Sequence, residues 1–150
     1  KYPEDLKALV LMSTGAKLRV HSGYMLELQE AINNKKIWQH LVEDTYRNLH
    51  PKVKEAVMKK QMEMGPALRL KDFEVCDKFD VTDKVGQVQL PALVICGSND
   101  MLTPPKYTDY LVENIEGATK LVIQGAGHYV FMEKPDEVNQ ALSEFVASLN

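Results

Sequence analysis

An α/β fold with about three parallel strands, a helical insertion and a C-terminal helix is predicted by two features of the sequence. Three short apolar runs, at residues 8–12, 90–97 and 119–124, are typical of strands buried on both faces of a parallel sheet. Residues 23–79, between the first two runs, instead space their apolar side chains by three and four, as helices do. A strand, helix, strand order implies parallel neighbours joined by a right-handed crossover, so one sheet is expected.

The first half of the chain is predicted to hold one strand and four helices. The strand, Ala8 to Met12, precedes Ser13, Thr14 and Gly15. Asparagine, glycine and proline residues then divide the helical region, because they interrupt or begin helices. The apolar positions of the four helices fall at 25–32, 37–49, 53–62 and 67–76.

The second half is predicted to alternate strands and helices. Residues 81–89 form a polar linker to the second strand, which ends at Gly97. A helix opened by Pro104 and Pro105 and a third strand follow, and a last helix from Glu133 to Leu149 covers a sheet face. The predicted units are therefore a strand segment at 1–15, a helical segment with linker at 16–89 and an α/β unit at 90–150.

The composition favours a protein that acts on a small molecule. With 18 basic and 21 acidic side chains, the formal charge of -3 gives no electrostatic reason to expect a nucleic acid or a membrane surface as partner. No apolar run is long enough to span a bilayer. Cys76 and Cys96 lack metal-ligand spacing, so we expect free thiols in a reducing compartment such as the cytoplasm.

Two chemically capable side chains follow neighbouring predicted strands. Asp100 comes three residues after Gly97, and His128 follows the third strand in Gly-Ala-Gly-His. Loops at the carboxyl ends of parallel strands share one edge of the sheet, where ligands bind, and strands about 4.8 Å apart allow a carboxylate to reach an imidazole. We expect Asp100 to accept a ring N–H of His128, fix its tautomer and stabilise the imidazolium.

The spacing around these residues matches a longer pattern, Gly-x-x-Asp-x-x-x-Pro followed by Gly-x-Gly-His and Glu-x-Pro. Its members in this chain are Gly97, Asp100, Pro104, Gly125, Gly127, His128, Glu133 and Pro135, with Pro91 before the strand. On these motifs, residues 90–146 resemble the C-terminal portion of α/β-hydrolase-fold enzymes of the esterase, lipase and lactonase type. Residues 2–12 weakly resemble the sixth strand of that fold. The resemblance implies that residues 15–80 are the variable cap domain inserted after it.

The resemblance also implies a catalytic triad whose nucleophile lies upstream, on a Gly-x-Ser-x-Gly turn. No serine of this chain lies in that frame; Ser13, in Met-Ser-Thr-Gly, comes closest but has only one of the two glycines. The chain opens at Lys1 without an initiator Met. We therefore expect the C-terminal half of a serine hydrolase of esters, lactones or thioesters, needing no cofactor and inactive alone. Asp100 is its acid and His128 its base.

Other functions use the same pair of residues. An upstream Asp nucleophile would give dehalogenase or epoxide-hydrolase chemistry, and an upstream Ser could also serve cofactor-free perhydrolysis or carbon–carbon cleavage. A binding module of the same fold is the non-enzymatic alternative, against which the presence of both Asp100 and His128 argues. The apolar first strand further predicts an exposed sheet edge, paired with the missing N-terminal segment or with a second copy of the chain.

The remaining candidates favour structural roles. His21, His40 and His50 lack partners at ligand spacing and are expected at the surface or in packing. Glu133 is expected to be a structural carboxylate in the first turn of the last helix, favoured by the helix dipole. Gly125-Ala-Gly127 lacks the third glycine of a dinucleotide fingerprint.

Two clusters in the helical region could contribute to a site, although packing and solvation explain them more simply. The first could line an apolar acyl pocket, but helix packing is favoured; it consists of Met58, Met62, Met64, Trp38 and Tyr46. The second could face an anion, but a solvated helix face is favoured; it consists of Lys52, Lys54, Lys59 and Lys60.

Overall fold

The computed structural model describes residues 5–34 and 39–149 of the chain. The elements of this part are, in order, β1 (Leu9–Met12), α1 (Ser22–Asn34), α2 (Gln39–Tyr46), α3 (Pro51–Met64), α4 (Pro66–Lys78), a 3-10 turn (Val85–Gln87), β2 (Ala92–Gly97), α5 (Pro105–Asn114), β3 (Thr119–Ile123), α6 (Val130–Glu133) and α7 (Pro135–Ala147). Predictions that concern residues 1–4, Ile37, Trp38 and the side chain of His40 lie outside the described residues.

The three strands form one parallel sheet in the order β1, β2, β3. Leu11 lies opposite Val94, and Val94 lies opposite Lys120, so both crossovers bring the chain back in the same direction. Every residue of β2 is buried, which explains why this strand is an apolar run rather than an alternating one. The predicted α/β class and the three parallel strands are confirmed, with β1 and β2 beginning one and two residues later than expected.

Alternate residues of β2 pack against helices on opposite faces of the sheet. Val94 belongs to a cluster with Leu111 of α5, whereas Leu93 and Ile95 belong to a cluster that includes Val138 of α7. Full burial of such side chains stabilises a fold by roughly 1.5–3 kcal/mol each. The expectation that the C-terminal helix covers a sheet face is confirmed.

The helical segment, defined as residues 22–78, has a separate apolar core. Side chains from α1, α2, the turn after α2 and α4 meet there, including Leu28, Leu41, Tyr46, Leu49 and Phe73. The predicted breaks at Asn34 and at Gly65 are confirmed, but α2 ends at Tyr46, and Leu49 packs into the core from the following turn.

The chain before the helical segment is joined to the chain after it. Lys17 and Asp80 form an antiparallel bridge, and the Lys17 ammonium lies 2.5 Å from the Asp80 carboxylate. Hydrogen bonds from Lys17 and then from Thr82 lower the pKa of Asp80 to about 2. This join anchors the segment where it leaves the sheet and where it returns.

The last helix differs from the prediction. A single helix from Glu133 to Leu149 was expected, but a four-residue helix, α6, ends at Glu133, and α7 begins at Pro135. Lys134, between them, has φ -137 and ψ 57, outside the helical region. The reason is Pro135, whose ring clashes with a helical conformation of the residue before it. Glu133 is therefore not in the first turn of the last helix, and that prediction is wrong. None of the described helices is both long and apolar enough to cross a bilayer.

Candidate active site

The loops after β2 and β3 are joined to each other by hydrogen bonds. The Ser98 N–H donates to the Ile123 carbonyl at 3.0 Å, and the Asn99 N–H donates to the Ala126 carbonyl at 2.8 Å. In return, the Gly125 N–H donates to Ser98 Oγ at 2.9 Å. These bonds continue the β2–β3 pairing past the strand ends, and they set Asp100 beside His128.

Close approach of the two loops requires a glycine at the end of β2. A Cβ added at Gly97 would lie 2.3 Å from the Ala126 carbonyl oxygen and 2.4 Å from that of Gly127. Both neighbours are backbone atoms, which cannot move aside without moving the loop. Position 97 therefore excludes any side chain, as a close backbone approach demands.

His128 and Asp100 are hydrogen bonded, as the sequence predicted. His128 Nδ1 lies 3.0 Å from Asp100 Oδ2 and 3.1 Å from Oδ1. The Asp100 side chain is completely buried, while the His128 side chain keeps 22% of its surface exposed. In the neutral tautomer that carries its hydrogen on Nδ1, the Nδ1–H donates a hydrogen bond to Asp100. Nε2 of that tautomer has a free lone pair, which can accept a proton from another group.

Asp100 also organises its own turn. Its Oδ1 accepts the N–H groups of Leu102 and Thr103, both at 2.9 Å, and its Oδ2 accepts the Thr103 hydroxyl at 2.9 Å. Asp100 therefore bonds to its own turn and to His128 at the same time. Thr103 is a site residue that the sequence reasoning missed. Its signal was present, because an Asp followed closely by Thr is typical of side-chain bonds to turn backbone.

These contacts determine the ionisation of Asp100. Burial of the carboxyl, taken alone, raises its pKa. The hydrogen bond and charge of His128, together with the bonds from Thr103, act in the opposite direction and leave the pKa of Asp100 below its ordinary value. The carboxylate is therefore ionised at neutral pH and able to stabilise a protonated His128.

Glu133 holds the loop that carries His128. Its carboxylate accepts the Gly127 N–H at 2.5 Å and the Tyr129 N–H at 3.2 Å, so it binds the backbone on both sides of the histidine. The predicted structural role agrees with this contact, but the expected cause, a helix dipole, was wrong. The loop is closely packed as well, because a Cβ at Gly127 would lie 2.8 Å from Asn48 Nδ2.

A ring stack connects the histidine loop to the helical segment. The rings of Tyr129 and Tyr46 lie 5.2 Å apart and are nearly parallel. Burial, and then the neighbouring Tyr129, raise the pKa of Tyr46 above its ordinary value, so this ring stays neutral. Tyr46 thus packs behind the loop and does not line an acyl pocket.

A cavity of about 480 Å³ opens beside His128. Its wall combines the stretch between β1 and α1, the first turn of α1, α4, both site loops and the start of α5. The methionine cluster does not line it: Met58 packs against the helical core, whereas Met62 and Met64 are largely exposed. Of the first cluster, Met58 and Tyr46 are therefore packing side chains, as favoured, whereas Met62 and Met64 are exposed and Trp38 lies outside the described residues.

Ser13 lines the same cavity, but its contacts are not those of a nucleophile. It has φ +46, an uncommon conformation for a residue other than glycine. Its Oγ is buried and has no hydrogen-bond partner among the described residues. A serine nucleophile needs its hydroxyl within reach of its base, and this hydroxyl makes no such bond to His128.

Among the described residues, neither His21 nor His50 is hydrogen bonded to Asp100 or His128. His21 is exposed and lines the cavity, while His50 accepts the Lys52 N–H at 3.4 Å at the start of α3. Lys60 pairs with Glu63 at 3.0 Å on an exposed face of α3, as expected for a solvated surface. Within residues 5–34 and 39–149, no group of three or more His, Cys, Asp or Glu side chains could hold a metal ion, and both cysteines are free thiols.

Solved structures of other proteins share the fold of this chain. A thermophilic esterase of known structure is 31% identical and superposes with a TM-score of 0.84 over 99% of this chain and 59% of its own. Est816, described as an N-acyl homoserine lactone degrading enzyme, is 24% identical with a TM-score of 0.73, which shows a shared fold.

Relatives found by sequence include other proteins named as hydrolases. The epoxide hydrolase srdG of Neurospora crassa is 31% identical over 81 residues, 52% of this chain and 24% of its own length. RutD of Escherichia coli is 23% identical over 99% of this chain and 58% of its own length. The chain thus spans less than two thirds of these relatives. The family model described as alpha/beta hydrolase fold matches residues 1–135, and the chain therefore belongs to the α/β-hydrolase fold family.

Proposed function

We propose that this chain supplies the acid and the base of a Ser-Asp-His triad in a hydrolase of ester, lactone or thioester bonds. The observation that carries the proposal is the 3.0 Å contact between His128 Nδ1 and the buried, ionised Asp100. A buried carboxylate that holds one nitrogen of a partly exposed imidazole is the arrangement that prepares a general base. The esterase of similar structure supports the assignment of ester bonds.

The proposed reaction uses His128 twice. Nε2 first accepts the hydroxyl proton of the nucleophilic serine as its oxygen attacks the substrate carbonyl carbon, and Asp100 stabilises the imidazolium. The proton then passes to the leaving alkoxide or thiolate, which departs and leaves an acyl-enzyme. In the second half, Nε2 accepts a proton from water, whose oxygen attacks the acyl carbon. The same proton returns to the serine oxygen when the acid leaves.

The nucleophile is proposed to come from a segment preceding residue 1. No serine in the sequence has the Gly-x-Ser-x-Gly frame, and the buried Ser13 hydroxyl does not contact His128. The same segment would supply the oxyanion hole and a strand beside β1, which among the described residues pairs only with β2. In its absence, two copies of the chain would pair through this edge.

The helical segment is proposed to act as a cap over the site. Its residues form part of the cavity wall, and its Tyr46 packs on the loop of His128. The free thiols fit a protein of the cytoplasm. The wall of the cavity would then set which small molecule is bound.

A second candidate keeps the same acid and base but uses an upstream aspartate, as in epoxide hydrolysis. It is favoured by the 31% identity with the epoxide hydrolase srdG over about half of this chain. In that reaction a carboxylate opens the epoxide ring, and His128 then activates water against the covalent ester. A binding module without chemistry would leave the Asp100–His128 pair without a use.

The experiment uses the full-length protein, with the segment that precedes residue 1. We expect it to hydrolyse p-nitrophenyl acetate and to be labelled covalently by a fluorophosphonate, and we expect His128→Ala to lower kcat by roughly 10³-fold or more. His50→Ala, which removes a histidine that is hydrogen bonded to Lys52 and not to Asp100, is the control. Turnover unchanged by His128→Ala would refute the proposal, and hydrolysis of an epoxide without fluorophosphonate labelling would favour the second candidate.

A further inference from the structure

We infer that the cavity beside His128 recognises a carboxylate on the substrate, so that the preferred substrates are small esters that carry an acid group away from the scissile bond. This inference rests on the proposed hydrolase function and names its substrate class. It is drawn from three cationic side chains of the cavity wall, Arg19, Arg69 and Lys106.

The charge of the wall is opposite to that of the chain. The three cations face a single carboxylate among the lining residues, Asp72. The chain as a whole carries a formal charge of -3. A concave surface with an excess of positive charge on an acidic protein attracts anions to that place rather than to the surface in general.

These cations are not neutralised by the protein. The described residues provide no ion pair to Arg19, Arg69 or Lys106, whereas Lys17, Lys60 and Lys120 all pair with carboxylates. Some cationic side chains outside the cavity wall are therefore neutralised by carboxylates. The cations of the cavity wall remain available to pair with an anionic ligand.

The three cations do make contacts, and these contacts restrict the side chains without neutralising their positive charge. Arg19 donates to the backbone carbonyl of Asp77 at 2.6 Å, and the Arg69 guanidinium lies 4.7 Å from the ring centre of Phe73. Lys106 lies 5.8 Å from the ring centre of Tyr107. Aromatic faces orient a cation without cancelling it, so these side chains are arranged in advance for an anion.

Size and apolar lining define the rest of the ligand. A volume of about 480 Å³ suits a small molecule. Leu18, Val20 and Leu102 line the same wall and would contact a short methylene chain. Two arginines favour a planar, bidentate acid group. Carboxylate and phosphate both meet that description, and we assign the carboxylate because a monoester of a dicarboxylic acid also carries the apolar chain and the scissile ester.

The test compares two substrates of nearly equal shape in the full-length protein. p-Nitrophenyl hydrogen adipate carries a terminal carboxylate, and p-nitrophenyl 6-methylheptanoate carries an isopropyl group in its place. We expect kcat/KM to be at least about tenfold higher for the adipate, as one charged hydrogen bond provides. We expect Arg69→Gln and Lys106→Gln each to lower this ratio about tenfold. Lys59→Gln, the same change of charge on an exposed position outside the cavity, should leave the ratio unchanged.

A binding measurement separates this inference from the proposed function. Adipate binding by calorimetry needs no turnover, and we expect Arg69→Gln to weaken it about tenfold relative to Lys59→Gln. Equal hydrolysis of both esters, or adipate binding that Arg69→Gln does not change, would overturn the carboxylate site while leaving the hydrolase intact. If neither ester is hydrolysed, the proposed function is refuted. The carboxylate site is then tested by the adipate binding measurement alone. Binding of inorganic phosphate as tight as that of adipate would refute the assignment of a carboxylate.

Discussion

The carboxylate of Glu133 accepts the backbone N–H of Gly127 at 2.5 Å, directly before the histidine that contacts Asp100. The other oxygen of the same carboxylate accepts the N–H of Tyr129. One side chain thus binds the backbone N–H groups of the residues on both sides of His128. The direction of the imidazole therefore depends on a residue that touches neither the ring nor Asp100.

Substitution Glu133→Gln should lower kcat of the full-length enzyme by roughly 10- to 100-fold, because a misplaced catalytic group is costly even at small displacements. The amide keeps the shape but has only one oxygen to accept an N–H, and it loses the charge. KM should change little, since Glu133 does not line the cavity. The control is Glu137→Gln, an exposed carboxylate on α7 with a long contact to Lys134. Equal kcat for both variants would contradict a positioning role.

The hydroxyl of Thr103 should stabilise the ionised Asp100. In Thr103→Val the shape is nearly kept, but the bond to Asp100 Oδ2 is lost inside a buried site. We expect the free energy of unfolding to fall by about 1–3 kcal/mol in urea titrations, whereas Thr103→Ser, which keeps a hydroxyl, should recover much of it. A Thr103→Val variant as stable as the wild type would contradict this role of the hydroxyl.

The stability that Asp100 provides should depend on pH in a defined direction. Its pKa is lowered in the folded protein, so the carboxylate stabilises the fold fully above its unfolded value of about 3.9. That contribution disappears as the pH falls through the folded pKa. The difference in unfolding free energy between wild type and Asp100→Asn should be largest above about pH 5 and should narrow below about pH 4. A difference that stays constant from pH 7 to pH 3, by urea unfolding, would contradict the lowered pKa.

A methyl group at position 97 should separate the two site loops. In Gly97→Ala the new Cβ meets two backbone oxygens, so we expect a loss of about 1–3 kcal/mol or more in unfolding free energy together with a large loss of kcat. Gly86→Ala provides the matched control, because a Cβ there would lie 3.5 Å from its nearest neighbour, at ordinary contact distance. Comparable stability of the two variants would show that the loop approach tolerates a side chain.

Local signals in the sequence were enough to predict the strands and the Asp100–His128 pair. An apolar run such as β2 indicates a strand that is buried on both faces. Residues that follow parallel strands lie at one edge of the sheet, independently of the structure of the intervening segments. The glycine and proline spacings around the pair then identified the family. The separation of α6 from α7 was also encoded locally, in Pro135, but the strong apolar period beyond it favoured one continuous helix.

Contacts across the fold could not be predicted in the same way. Tyr46 meets Tyr129 across more than half of the chain. The grouping of Arg19, Arg69 and Lys106 depends on three separate elements meeting at one cavity. Such relationships arise from packing, which hydrophobic periodicity does not specify.

The hydrogen bonds that join the Ser98 loop to the Gly125 loop have a consequence for how proteins of the α/β-hydrolase fold family diversify. Among the described residues, the polar contacts that orient His128 toward Asp100 are made within residues 97–133, so the spacing of Asp100 and His128 is inherited as one piece. Helices inserted between β1 and β2 can lengthen, shorten or change their polarity while this piece is retained. Under the proposed function, new specificities can therefore evolve by changes in the helical segment that keep its packing against the histidine loop, such as the stack of Tyr46 on Tyr129.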